Sequence, residues 1–135
     1  MIHRGKGRIL NIASTAAFQP GPMMSVYCAT KAYVLNFSEA LASELKGTGV
    51  TVTVLCPGPV ATEFLTVAGA SLKRSLYVKL NKPVSSREVA QYGLKALMDG
   101  RGLAVHGWLN RLTAFAVRLA PRKLTVLLAH LVMKS

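Results

Sequence analysis

The chain has 135 residues, 51% of them hydrophobic and 16% charged, a globular composition whose length fits one domain. Seventeen Lys/Arg against five Asp/Glu give a formal charge of +12. The basic residues are not interleaved with exposed aromatics and no nucleic-acid module is recognisable, which argues against nucleic acid as a partner.

From residue 71 onward twelve Lys/Arg face only Glu88 and Asp99. That surplus suits an anionic lipid or a phosphorylated ligand, and suits better a solvated cationic face whose acidic complement lies on a missing segment. Mean hydropathy is +0.36, high for a self-contained domain, so some apolar surface is expected to meet a partner. Cys28 and Cys56 form no C-x-x-C pair, and His3, His106 and His130 are scattered, so no metal site is expected. Two free thiols fit a reducing compartment and a cytoplasmic location. No stretch reaches the roughly 18 apolar residues of a membrane span. Residues 1–18 imitate a signal peptide, but Asn11, Ser14 and Thr15 break the apolar run.

In chain order, Arg8–Ala13 reads as a short buried strand. Residues 15–25 carry Gln19-Pro20-Gly21-Pro22 and read as a loop. A long helix is predicted over 26–46, with Ser25 as N-cap and Val34, Phe37, Leu41 and Leu45 as its apolar face. Gly47 and Gly49 end it. Val50–Leu55 alternates β-branched residues and reads as a strand that Pro57 and Pro59 stop. Strand, helix and strand make a βαβ crossover with parallel neighbours. Residues 61–84 read as irregular or weakly helical. Ser85 and Glu88 have capping-box spacing and open a helix that Gly100 closes. Leu103–His106 reads as a third strand. Two amphipathic helices, 108–120 and 122–134, are separated by Pro121; Trp108, Leu112, Phe115 and Leu119 share a face of the first.

Three features carry chemistry. Ser14 ends the first strand; Tyr27 and Lys31 stand four residues apart in the first turns of the long helix; and Pro57-Gly58-Pro59-Val60-Ala61-Thr62 follows the second strand. Residues i and i+4 share a helix face. A phenol ionises near pH 10, and moving it toward neutrality takes about 4 kcal/mol. A cation about 4 Å away at an effective dielectric of about 20 supplies about that much, and a helix N-terminus adds to it. Such a pair can give a proton to, or take one from, an oxygen that gains or loses charge during hydride transfer. Taken singly, Tyr27 and Lys31 read as a packing tyrosine and a snorkelling lysine, Ser14 as a strand-end serine, and residues 57–62 as an ordinary turn. Their order and context together make the signal.

That combination resembles the catalytic half of the short-chain dehydrogenase/reductase family, tightly over residues 7–65 and more loosely through residue 107. The resemblance implies an α/β fold: the carboxyl-terminal part of a doubly wound parallel-sheet Rossmann-type domain, with residues 1–107 as its catalytic half and 108–135 as a basic amphipathic helical tail. It implies Tyr27 as acid/base, Lys31 as its electrostatic activator and a ligand of the nicotinamide ribose, and Ser14 as donor to the carbonyl oxygen. It further implies that Ile12, Tyr27, Lys31, Pro57, Gly58, Pro59, Val60 and Thr62 touch the cofactor. The implied reaction is reduction of a ketone, or oxidation of a secondary alcohol, with NAD or NADP and a lean toward NADP. The substrate would be a small carbonyl compound, apolar and acyl- or steroid-like, and the complete protein a homo-oligomer. No G-x-G-x-x-G occurs, so the family's phosphate-binding half is not in this sequence, and Met1 reads as an internal start or the start of a fragment. The alternative is a non-catalytic module whose tail binds a membrane surface or a partner and whose site residues are relics.

Overall fold

The computed structural model describes residues 1–63 and 83–134. The expectation for 61–84 therefore lies largely outside the described residues. A 3-10 turn at Ile2–Arg4 leads into strand β1, Gly7–Ile12. A second 3-10 turn, Thr15–Phe18, precedes helix α1, Ser25–Glu44, and strand β2, Val50–Cys56. Helix α2, Ser86–Met98, strand β3, Leu103–Val105, and helices α3, Trp108–Leu119, and α4, Arg122–Lys134, complete the order.

The strands form one parallel sheet in the order β1-β2-β3. Gly7 pairs with Val50 and Ile12 with Leu55, while Val54 pairs with Leu103 and Cys56 with Val105. The central strand is β2, whose β-branched residues suit a pleat buried on both sides. Its alternation sorts the core into two layers. Val54 and Cys56 pack with Ala13, Val105 and Leu35 of α1. Leu55, between them, packs with Ala104 and with Val89 and Ala96 of α2. Successive strand residues point to opposite faces, so α1 and α2 cover opposite sides of the sheet. Gly93 lets α2 lie close, because a Cβ there would stand 2.6 Å from Leu55 Cδ2.

The predicted strands and helices are present within a few residues of their expected ends. Ser85 caps α2 as its spacing foretold, accepting the Glu88 N–H at 3.2 Å. Two details of α1 differ. Its N-cap is Met24, without a side-chain cap bond, and Ser25 is the first helical residue. Its buried face is Cys28, Leu35 and Ser38, whereas Phe37 is 48% exposed and stacks on Tyr33 at 6.0 Å. The buried line follows the sheet contact, and the small Ser38 fits there because its hydroxyl bonds back to the Val34 carbonyl at 2.6 Å. Among the described residues no helix is long and apolar enough to cross a membrane.

Candidate active site

Parallel strands place their carboxyl ends side by side, and open α/β sheets bind ligands there. At that end of β1 the chain leaves the sheet through Ala13 and Ser14, while the ladder persists: Ala13 N–H donates to Leu55 O at 2.8 Å and Thr15 N–H to Pro57 O at 2.9 Å. The turn after β2 is thus held beside Ser14. Buried Ser14 Oγ accepts the Ala16 N–H at 3.1 Å and so N-caps the following 3-10 turn. A hydroxyl that accepts still has its own proton to donate.

Tyr27 and Lys31 lie in the first two turns of α1. Lys31 reaches back across the strand end, and its Nζ donates to Ile12 O at 3.1 Å. The ammonium lies 5.9 Å from the Tyr27 ring centroid. Asn11 anchors the same junction, its Nδ2 donating to Ser38 Oγ at 2.9 Å. The strand end is therefore pinned to α1 by two side-chain bonds, one in the helix's second turn and one in its second half.

Beyond β2, residues 57–62 are fixed on both sides. Val84 N–H donates to Pro59 O at 3.1 Å and Ala61 N–H to Val84 O at 2.8 Å, closing a parallel bridge between Val60 and Val84. Gly58 is needed on the other side: a Cβ there would stand 2.6 Å from Asn110 Nδ2, which itself donates to His106 O at 2.8 Å. The first turn of α3 thereby rests on the turn. Thr62 is exposed at its far end.

All the residues singled out from the sequence, Ile12, Ser14, Tyr27, Lys31, Pro57, Gly58, Pro59, Val60 and Thr62, line one cavity of about 400 Å³. That size suits a small-molecule ligand, and most of the wall is apolar. The cavity also takes in Gln19, Met24, Cys28, Ser86, Ala90 and Ala129, which sequence reasoning missed. Gln19 and Met24 sit in a loop without periodicity. Ala129 comes from α4 and had no local signal tying it to a site formed some hundred residues earlier. Beside the loop, Gly21 leaves space that the Cys28 Sγ fills.

Both thiols are buried. Burial pushes Cys28 up from the ordinary thiol range. It pushes Cys56 up to about 12, against a backbone bond from Ser14 and the Lys31 charge, which act downward. Burial thus makes both thiols weaker nucleophiles, since the thiolate is the reactive form. Among the described residues no cluster of His, Cys, Asp or Glu could hold a metal ion. The arrangement sets a phenol, an ammonium and a hydroxyl on the wall of one largely apolar chamber.

Known proteins resemble the chain in sequence and fold. A short chain dehydrogenase family model matches residues 1–72, just over half of the chain. Hydroxysteroid dehydrogenase-like protein 1 of Gallus gallus is 33% identical over 100 residues, 74% of this chain and 30% of the relative. Very-long-chain 3-oxoacyl-CoA reductase of Bos taurus is 42% identical over 79 residues, 58% of this chain and 24% of the relative. A crystal structure of a short chain dehydrogenase from Burkholderia cenocepacia J2315 in complex with NADP superposes with a TM-score of 0.70. That superposition covers 96% of this chain and 48% of the other, at 26% identity. The chain thus spans about a quarter to a third of these curated relatives and about half of the solved one. The expected Rossmann-type fold class holds, and the chain belongs to the short-chain dehydrogenase family.

Proposed function

We propose that this chain supplies the catalytic part of an NAD(P)-dependent oxidoreductase that interconverts a ketone and a secondary alcohol. One observation carries the reading: Ser14 at the end of β1, Tyr27 and Lys31 at the start of α1, and Pro57, Gly58, Pro59, Val60 and Thr62 after β2 all open into one chamber. A reduced nicotinamide, when bound, supplies the hydride. As the new C–H bond forms at the carbonyl carbon, the C=O electron pair moves onto oxygen. The Tyr27 phenol gives its proton to that oxygen, and the Ser14 hydroxyl donates a hydrogen bond to it. Lys31 would favour the resulting phenolate electrostatically and would hold ribose hydroxyls. Backbone groups near Val60 and the Thr62 hydroxyl would hold the carboxamide.

The residues fit that group. The chamber's apolar wall suits a flat ring, and Lys31 is the cation beside it. The relative from Burkholderia cenocepacia was solved in complex with NADP, which supports the lean toward NADP. The named activity of the bovine relative, a 3-oxoacyl-CoA reductase, and the apolar wall together support an apolar ketone as substrate. The division at residue 107 is a proposal of the same kind. Its tail is part of the site wall, since Ala129 of α4 lines the chamber and Asn110 of α3 covers Gly58.

The test is Tyr27→Phe in a chimera joining this chain to the Gly-rich amino-terminal half of a relative. Ketone reduction should fall by about 10²–10⁴ with cofactor affinity kept within about twofold. Full activity in the variant rejects the assigned role.

A second reading has its own observation. Trp108, Leu112, Phe115 and Leu119 are all exposed on α3, with Arg111 and Arg118 nearby, a face suited to an interfacial contact with anionic lipid. Co-sedimentation with anionic vesicles at low salt supports it; no binding at any salt concentration removes it.

A further inference from the structure

A second concavity lies on the other side of the Thr15–Phe18 turn. Ala16 faces the chamber described above, while Phe18 lines a separate groove of about 380 Å³. Three arginines from separate places in the chain share its wall. Arg101 precedes β3, and Arg111 and Arg118 stand seven residues apart on α3. Phe18, Phe115 and Leu103 supply the apolar part.

Arg111 is pre-set. Its Nε donates to Val105 O at 3.0 Å and its Nη2 to Tyr92 Oη at 2.8 Å, while the Tyr92 hydroxyl donates to the same Val105 carbonyl at 3.1 Å. His106 backs Tyr92 edge-on at 5.0 Å. No carboxylate among the described residues lies within ion-pair distance of Arg111. A guanidinium fixed in plane by neutral acceptors keeps its whole charge for a ligand and loses little freedom on binding one. Arg118 lies 5.7 Å over the Phe18 ring, so charge and aromatic surface are adjacent. Two carboxylates compete from outside the groove wall: Asp99 at 2.9 Å from Arg101 and Glu39 at 3.8 Å from Arg118. Both pairs are solvent-exposed and hence weak.

We infer that this groove binds an organic phosphate with a flat aromatic body, of the nucleoside monophosphate class. The guanidinium forks match phosphate oxygens, and the phenylalanines offer a surface for a ring. A bare anion would leave the apolar wall uncovered, and an uncharged ring would leave Arg111 without a counter-charge and Arg101 and Arg118 with only their weak exposed pairs. The inference goes beyond the oxidoreductase reading and uses no residue assigned to it.

Calorimetric titration of the chain with adenosine 5′-monophosphate tests it. Adenosine 5′-monophosphate should bind at least about tenfold tighter than either adenosine or inorganic phosphate, since a charge-assisted hydrogen bond carries about a tenfold effect or more. Arg101→Gln and Arg118→Gln, both at exposed positions, should each weaken binding about tenfold. Arg111→Lys, which keeps the charge and loses the fork, should do the same. Unchanged affinity in Arg101→Gln and Arg118→Gln places any binding elsewhere and overturns the inference. Inorganic phosphate binding as tightly as the nucleotide, or dihexanoyl phosphatidic acid binding as tightly, overturns the aromatic ligand class.

Discussion

The β1–α1–β2 unit and the α3–α4 tail solve opposite problems with the same residue types. In the first, polar side chains are held against the sheet by bonds, the Thr51 and Thr53 hydroxyls of β2 excepted: Ser14, Ser38 and Asn11 all have partners, and Lys31 is tied to Ile12. In the second, apolar groups stand outside: Trp108 is 76% exposed, Phe115 63% and Leu119 73%. The unit is organised around a sheet with both faces covered. The tail meets that unit through Asn110 at Gly58 and Arg118 at Phe18 and Glu39, and the residues it buries are small ones, Ala114, Thr125 and Ala129. Burial is therefore decided by what lies opposite a side chain and not by its own hydrophobicity.

Truncating a core residue of the unit gives the largest stability effect. Leu55 is 2% exposed and sits between the sheet and α2. Leu55→Ala should cost about 3 kcal/mol, from lost burial and the remaining cavity, read as a shift in a denaturant midpoint. A cost under about 1 kcal/mol would mean that the α2 layer is not the packed core described here.

The alkaline limb of stability comes next. Cys56 has its thiol held up to about 12 by burial, against an unfolded value of 9.0. The folded chain thus keeps a proton that the unfolded chain releases. That contribution is fully present below about pH 9 and is lost as pH rises toward about 12. The parent protein should lose Tm more steeply across that window than Cys56→Ala, whose lower starting stability carries no thiol titration. Equal slopes would show the thiol titrating alike in both states. Iodoacetamide at pH 8 should label the native chain far more slowly than the urea-unfolded one.

How much of this was legible beforehand follows from the same contrast. Strand β2 announced itself because β-branched alternation and two prolines are local signals, and α2 because Ser85 and Glu88 stand at capping distance. Ser14, Tyr27, Lys31 and residues 57–62 were legible as a set, since order and spacing are written in the chain. The depth of α1 was not. Periodicity offered Phe37 as a core residue, and the sheet chose Leu35 and Ser38 instead, because register against β1 is a tertiary property. The groove of Arg101, Arg111 and Arg118 was equally hidden, since three arginines scattered along a basic stretch converge only through the fold.

A smaller effect sharpens the comparison inside the unit itself. Thr53 is fully buried in β2, and its Oγ1 has no hydrogen-bond partner among the described residues. A buried hydroxyl without a partner costs free energy, and valine has nearly the same shape. Thr53→Val should therefore stabilise by about 1 kcal/mol, a rise visible in the denaturant midpoint at constant slope. Destabilisation would mean that the hydroxyl has a partner.

The smallest effect belongs to the tail and breaks the contrast if it is wrong. Leu119 is 73% exposed at the end of α3, so Leu119→Ser removes little area from the interior. Its stability should stay within about 0.5 kcal/mol of the parent, as surface substitutions do. A loss of 2 kcal/mol or more would show that Leu119 is covered in solution, and the difference between unit and tail would then be one of partner and not of packing. A change confined to solubility or vesicle binding would instead keep the difference as drawn, because the apolar face would act between molecules and not within this one.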